Sequence, residues 1–220
     1  MEPLRKVRGI AIPFGRPNVD TDQIIPGRFI MKPRDFDYAS LLFHDLRFGP
    51  HAEPDFPLDA PAWRGASIMV TAANFGCGSA REQAVWAVQE FGIRVLVGPS
   101  FGGIFRVNCV KNGVLAAIVP EAVAQAFCAA LLERPGGEMG VDLERRVVID
   151  TAGQAVPFEI DESDRVQLLS GKDDIMRTLE HEKQIEAWER DYRSAATWHR
   201  PLAGEAVSKT RRIPIRTNGR

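Results

Sequence analysis

Two glycines, one residue apart, stand where a strand-like run meets a helix-like run, and they constrain this chain more than any other feature. Residues 74–83 read Asn-Phe-Gly-Cys-Gly-Ser-Ala-Arg-Glu-Gln. Ser67-Ile68-Met69-Val70-Thr71 leads in as a strand, and the run from Ala80 to Glu90 leads out as a helix. Gly76 and Gly78 let the backbone turn sharply and approach a ligand closely. The helix that follows points free N–H groups and its positive dipole end into the turn, which makes the turn an anion site. Ser79 adds a hydroxyl, and Arg81 adds a fork of donors suited to a carboxylate. The same residues also fit a capping box, with Ser79 as N-cap and Glu82 three residues on, and so predict a helix starting at Ala80. The two roles are compatible, because the N–H dipoles that receive a cap would also stabilise an alkoxide.

Better-known glycine motifs do not fit. A dinucleotide fingerprint needs a small residue three after Gly78, where Arg81 stands. A nucleophile elbow centred on Cys77 needs glycines at 75 and 79, where Phe75 and Ser79 stand. No Lys-Ser or Lys-Thr follows the glycines, which excludes a P-loop.

Around the turn the chain alternates strands and helices. Val7 to Ile12 reads as the first strand, followed by a loop from Asn18 to Pro26. From Met31 to Arg64 the sequence is irregular, with many Pro, Asp and aromatic residues, and reads as an insertion or lid with little to bury. Then come strand Ile93 to Val97, a short helix from Ile104 to Lys111 ended by Gly113, strand Val114 to Val119, and a helix from Pro120 to about Arg134. Arg145 to Ile149 and Ala155 to Ile160 read as a hairpin joined through Asp150-Thr151-Ala152-Gly153. Glu162 to Ser170 and Asp173 to Tyr192 read as closing helices split by Gly171. The pattern is α/β with a mixed sheet. The expected organisation is one domain over 1–196, with the insertion at 31–64, and a basic tail over 197–220.

Charge narrows the function. Lys plus Arg number 28 against 29 Asp plus Glu, so nothing in the balance favours nucleic acid or a membrane surface. No apolar run is long enough for a membrane span, and the first residues do not read as a signal peptide, so the chain is expected in the cytoplasm. Cys77, Cys109 and Cys128 are widely spaced and form neither a disulfide framework nor a metal set. If an iron–sulfur cluster takes part, another chain must hold it.

The turn closely resembles the small-subunit signature of the isopropylmalate dehydratases, a branch of the aconitase superfamily, whose members carry Asn-Phe-Gly-Cys-Gly-Ser-Ser-Arg-Glu-His there. Two further segments agree. Asn18-Val19-Asp20-Thr21-Asp22-Gln23-Ile24-Ile25-Pro26 is similar to the family's Asp-Thr-Asp loop, and Pro99 to Gly113 to its Pro-Ser-Phe stretch. The likeness covers roughly residues 7–190.

The resemblance implies a swivelling β/β/α domain like the mobile domain of aconitase, with the 31–64 region closing over substrate. It implies a heteromeric hydro-lyase that isomerises 2- and 3-isopropylmalate in leucine biosynthesis. A large subunit would carry a four-iron, four-sulfur cluster as Lewis acid for the leaving hydroxyl, while this chain supplies the base and grips the dicarboxylate substrate. Carried over position by position, Ser79 matches the serine base, Arg81 a carboxylate clamp and Asp22 an active-site aspartate. Thr21, Gly78 and Ala80 fall within the substrate site. A substrate arginine is expected shortly after the Asp-Thr-Asp loop, and spacing leaves Arg28 and Arg34 both open. Ala80 and Gln83 replace the usual Ser and His, which opens a related hydroxy-diacid of the methylmalate or citraconate type as substrate. Two other classes stay open: a cysteine enzyme using Cys77, and a binding subunit without catalysis.

Overall fold

The computed structural model describes residues 1–50 and 52–195. They fall into two compact units, Met1–Asp174 and a second beginning at Ile175. The expected basic tail at 197–220 lies outside the described residues.

The first unit is built on a seven-stranded sheet in the order β4-β3-β2-β1-β5-β6-β7. Its organising strand is β1 (Lys6–Phe14), which serves two partners in succession. The N-terminal half pairs antiparallel with β5 (Glu138–Asp142), with Lys6 opposite Asp142 and Ile10 opposite Glu138. The C-terminal half pairs parallel with β2 (Ile68–Thr71), with Ala11 opposite Ile68 and Phe14 opposite Thr71. Burial follows this division: Ala11 to Phe14 are buried, whereas Lys6 to Ile10 are partly exposed. Outward from β2 run β3 (Val95–Gly98) and β4 (Leu115–Ile118), both parallel. These strands are short, apolar and almost wholly buried, as parallel strands covered on both faces must be.

Helices α3 (Glu82–Glu90) and α4 (Gly103–Lys111) make the crossovers and pack on each other. Helix α5 (Glu121–Glu133) packs across β1, β2 and β3 and returns the chain to β5. Strands β6 (Val147–Ile149) and β7 (Ala155–Pro157) form the expected hairpin. Just past β7 the sheet curls far enough for Glu159 to bridge β4, with N–H···O distances of 2.8 and 3.2 Å to and from Ile118. The fold is therefore α/β with a mixed, curled sheet. Strand β5 carries no clear alternation and was not legible as a strand; its pairing with β1 creates it.

The stretch 31–64 does not have little to bury. It is a chain of short helical turns, at Ala39–Leu41, Pro57–Asp59 and Pro61–Trp63, together with helix α2 (His44–Phe48). Tyr38, Leu42, Phe43, Phe56 and Trp63 are buried in the main core. Phe43 stacks on Phe14 with ring centroids 4.7 Å apart, and Tyr38 packs edge-on against Trp86 of α3. Aromatic side chains each bury enough apolar area to fix a loop that lacks regular hydrogen bonding.

Helix α6 (Glu162–Ser170) ends at Gly171, whose φ of 68° makes the left-handed stop. Helix α7 (Asp174–Leu179) starts on the last residue of the first unit; in the second, α8 (Glu182–Ala195) follows, and Trp188 stacks on Tyr192 within it at 4.8 Å. No helix among the described residues is long and apolar enough to cross a membrane.

Candidate active site at the carboxyl edge of the parallel strands

Strands β1, β2 and β3 end at Phe14, Thr71 and Gly98, and the loop that leaves each one joins its neighbours at this edge. Asp20 bridges Cys77, and Phe75 bridges Phe101, so the segments 18–27, 74–81 and 99–102 form one surface. In open α/β sheets ligands gather outside the carboxyl ends of the strands.

The glycine turn is held from below. Phe75 is buried against Phe14, Phe43 and Phe105. At Gly76, with φ of 74°, an added Cβ would lie 2.2 Å from the Phe105 ring, so only glycine fits. The Val19 carbonyl accepts the Gly76 N–H at 2.7 Å, and the Cys77 carbonyl accepts the Thr21 N–H at 2.9 Å. Thr21 is the first residue of α1 (Thr21–Ile24) and is only 1% exposed.

Ser79 is not a helix cap. Helix α3 begins at Glu82 with Arg81 in the N-cap position and no side-chain cap bond. Glu82 instead accepts from Asn112 Nδ2 at 2.9 Å. The expected box fails because Gly78, at φ of 91°, and the two bonds between the Ser79 backbone and Thr21 Oγ1 keep that backbone outside the helix. A capping box does form at α1, where Asp20 Oδ1 accepts the Gln23 N–H at 2.8 Å and Gln23 Oε1 accepts the Asp20 N–H at 3.0 Å. Its signal was legible as an Asp three residues before a Gln. Ser79 is exposed, and its hydroxyl has no partner among the described residues. The N–H groups of Ala80, Glu82 and Gln83 also find no acceptor there.

Arg81 reaches the Asp-Thr-Asp loop. Its Nη1 donates to Asp22 Oδ1 and to the Ile25 carbonyl at 3.4 Å. The guanidinium holds the Asp22 carboxyl below the usual range, helped by the Gly27 backbone. Gly27 closes over this pair: an added Cβ would lie 3.3 Å from Asp22 Oδ1 and 3.6 Å from Arg81 Nη2. Nη1 carries both contacts, and Nε and Nη2 make no hydrogen bond among the described residues. Gly27 and the Ile25 carbonyl escaped the sequence reading, since a backbone acceptor leaves no residue signature.

The structure thus brings Ser79, Arg81, Asp22, Thr21, Gly78 and Ala80 together. It places the other two arginines differently. Arg28 follows Gly27, but its guanidinium is spent on Asp45, at 2.8 Å for the Nη1–Oδ2 contact, with His44 alongside. The bond from Arg28, reinforced by His44, lowers the Asp45 carboxyl to about 2. Arg34 pairs with Glu90, the last residue of α3, and lies over the Trp86 ring at 4.5 Å. That end of α3 stands about 12 Å along the helix axis from Glu82. Gln83 donates to the Ile30 carbonyl at 3.2 Å and so ties α3 to the loop beyond Gly27.

Comparison with known proteins identifies the family and the fold. The family model of the aconitase C-terminal domain matches residues 1–122, and a second model, LeuD_N, matches residues 129–162. The chain is 44% identical to the 3-isopropylmalate dehydratase small subunit of Rubrobacter xylanophilus over 190 residues, covering 86% of this chain and 95% of that one. It belongs to the 3-isopropylmalate dehydratase small-subunit family. The small subunit of Methylibium petroleiphilum is 40% identical over 209 residues, covering 90% of this chain and 97% of its own. The solved structure of 3-isopropylmalate dehydratase (leuD) from Methanocaldococcus jannaschii superposes with a TM-score of 0.60 at 26% identity, covering 84% of this chain and 99% of that one.

The family implies an iron–sulfur cluster, and the thiols of this small-subunit chain do not fit one. Cys109 is fully buried, and burial pushes its thiol well up; burial also raises the Cys128 thiol to about 11. A cluster needs thiolates grouped around it. Among the described residues, no three His, Cys, Asp or Glu side chains stand close enough to hold a metal ion.

Proposed function

We infer that this chain is the small subunit of a hydro-lyase that isomerises 2-isopropylmalate and 3-isopropylmalate by dehydration and rehydration, a step of leucine biosynthesis, and that it works with a separate large subunit. The cluster belongs to that partner, since no set of thiols here fits it. One observation carries the assignment of roles: an uncommitted serine hydroxyl stands on a rigid glycine turn next to an arginine that is already oriented by an aspartate.

The chemistry requires a proton to leave a carbon next to a carboxylate. Ser79 Oγ takes it, and the unpaired N–H groups at the start of α3 stabilise the alkoxide that does so. Arg81 grips a substrate carboxylate through its Nε–Nη2 edge, and Asp22 holds the guanidinium in register. The two departures from the family signature leave these roles in place. Gln83 spends its amide on the Ile30 carbonyl, and Ala80 contributes only backbone. The similarity to 3-isopropylmalate dehydratase small subunits favours isopropylmalate over another hydroxy-diacid. A cysteine enzyme is disfavoured because the Cys77 thiol has no His or Asp bonded to it among the described residues.

Mixing the purified chain with a cluster-bearing large subunit tests the reading. The mixture is expected to convert isopropylmalate, to turn over citramalate-type acids more slowly, and to need both chains. Activity in the chain alone, or an iron–sulfur absorbance from it, would refute this assignment.

A further inference from the structure

We propose that Thr21 positions Ser79 from beneath the turn, through the serine's backbone, and does not itself hold substrate. The proposal rests on reading Ser79 as the base. Ser79 sits between Gly78, at φ of 91°, and Ala80, so neither neighbour has a side chain able to tie it down. Its N–H donates to Thr21 Oγ1 at 3.1 Å, and its carbonyl accepts from the same oxygen at 3.0 Å. Among the described residues, the only other bond to its backbone is local, from the Arg81 N–H at 2.9 Å. Among the described residues, every hydrogen bond from Ser79 beyond its own turn therefore passes through one hydroxyl, 58 residues upstream.

A threonine hydroxyl has one proton to give, and here it goes to the Ser79 carbonyl. With Thr21 only 1% exposed, the group has neither a free donor nor an open face for substrate. The clamp is firm at its root. The Thr21 N–H donates to Cys77, its carbonyl accepts from Ile25 at 3.0 Å, and the Asp20–Gln23 box fixes the turn around it. Gly78 is called for by its φ of 91° and not by lack of space, since a Cβ there would make ordinary contacts of 3.5 Å to Thr21 Oγ1 and 3.4 Å to Asp20 Cβ. Two consequences follow. The Ser79 N–H is consumed by Thr21, which leaves alkoxide stabilisation to the N–H groups further along. The direction of Ser79 Oγ is also set by a backbone that would otherwise pivot at Gly78. Small misplacements of a reacting group are costly, with about 100-fold in rate for 1 Å.

The test compares four variants in the complex with the large subunit: Thr21→Val, Thr21→Ser, Ser79→Ala, and Thr21→Val combined with Ser79→Ala. Thr21→Val is expected to lower kcat at least about tenfold with KM little changed, and Thr21→Ser to restore it to within about threefold. On the Ser79→Ala background, Thr21→Val should remove nothing further. A raised KM with kcat intact would make Thr21 a substrate ligand and overturn the proposal, as would full turnover in Thr21→Val or additive losses in the double variant. If Ser79→Ala itself keeps its turnover, the serine-base reading fails and the proposal with it; if Ser79→Ala is dead and Thr21→Val normal, only the proposal fails. Should Thr21→Val not fold, hydrogen exchange on the unaltered chain decides. The Ser79 amide, on an exposed residue, is expected to be protected through its bond to Thr21, and free exchange there would overturn the clamp.

Discussion

Replacing Ser79 with Ala separates chemistry from architecture, because the structure removes the architectural role that a serine before a helix usually has. If Ser79 capped α3, its loss would cost about 1 kcal/mol. In a domain of this size that is a fall of about 2–4 °C in Tm. Its Oγ bonds nothing among the described residues, the residue is exposed, and the helix starts three positions later. The two bonds between the Ser79 backbone and Thr21 Oγ1 do not involve the side chain that is lost. The expected stability change is therefore within about 0.5 kcal/mol, that of an ordinary surface substitution. The expected rate change is of another order. Loss of a positioned base lowers turnover by about 100-fold or more, at least about 2.7 kcal/mol of barrier. Thermal melting of the isolated chain and steady-state dehydration of isopropylmalate by the reconstituted complex measure the two separately. A variant with near-normal turnover would remove Ser79 from the mechanism, and a cap-sized drop in Tm with activity retained would return it to helix architecture.

Arg81→Lys should chiefly raise KM, because an ammonium cannot present a second parallel N–H once one contact goes to Asp22; a KM unchanged in steady-state kinetics would exclude the clamp. Gly76→Ala should destabilise the fold by about 2 kcal/mol or more, since it combines positive φ with a Cβ 2.2 Å from the Phe105 ring; denaturant melts giving less than half of this would show that the turn can relax. The Arg28–Asp45 pair makes a pH-dependent contribution. Its folded carboxyl is depressed to about 2, so the contribution is complete above the unfolded value of about 4 and is lost as pH falls toward 2. Both side chains are about half exposed, so the effect should shrink in high salt, and an acid titration by circular dichroism should lose this component in Asp45→Asn. Exchange at the Phe43 amide, bonded to the Ile24 carbonyl at 2.8 Å, should be about as slow as in β3; fast exchange would restore a loose 31–64 segment.

Local chemistry in the sequence was enough to determine the strand and the helix on either side of the glycine turn, though not the helix's first residue or the short helix α1. Gly76 and Gly78 between an apolar run and an amphipathic one require a strand-turn-helix, because few other residues accept positive φ there. Gly113 and Gly171 mark the ends of α4 and α6 for the same reason. The pairing of Ser79 with Arg81 was legible because both lie within three residues of one turn. What lay outside a sequence window was decided by tertiary contact. Strand β5 exists because β1 offers it an edge, and the 31–64 stretch is ordered because Tyr38 packs on Trp86 of α3 while Phe43 and Phe56 pack on Phe14 of β1. The fate of Ser79 turned on a residue 58 positions away: local propensity favoured a cap, and the hydroxyl of Thr21 outweighed it by holding the backbone out of the helix. Spacing could not show that Arg28 pairs with Asp45 and Arg34 with Glu90, since both partners are distant in sequence. Propensity acts over one or two turns of chain, whereas a hydrogen bond or ion pair needs only proximity, and proximity is created by the packed sheet.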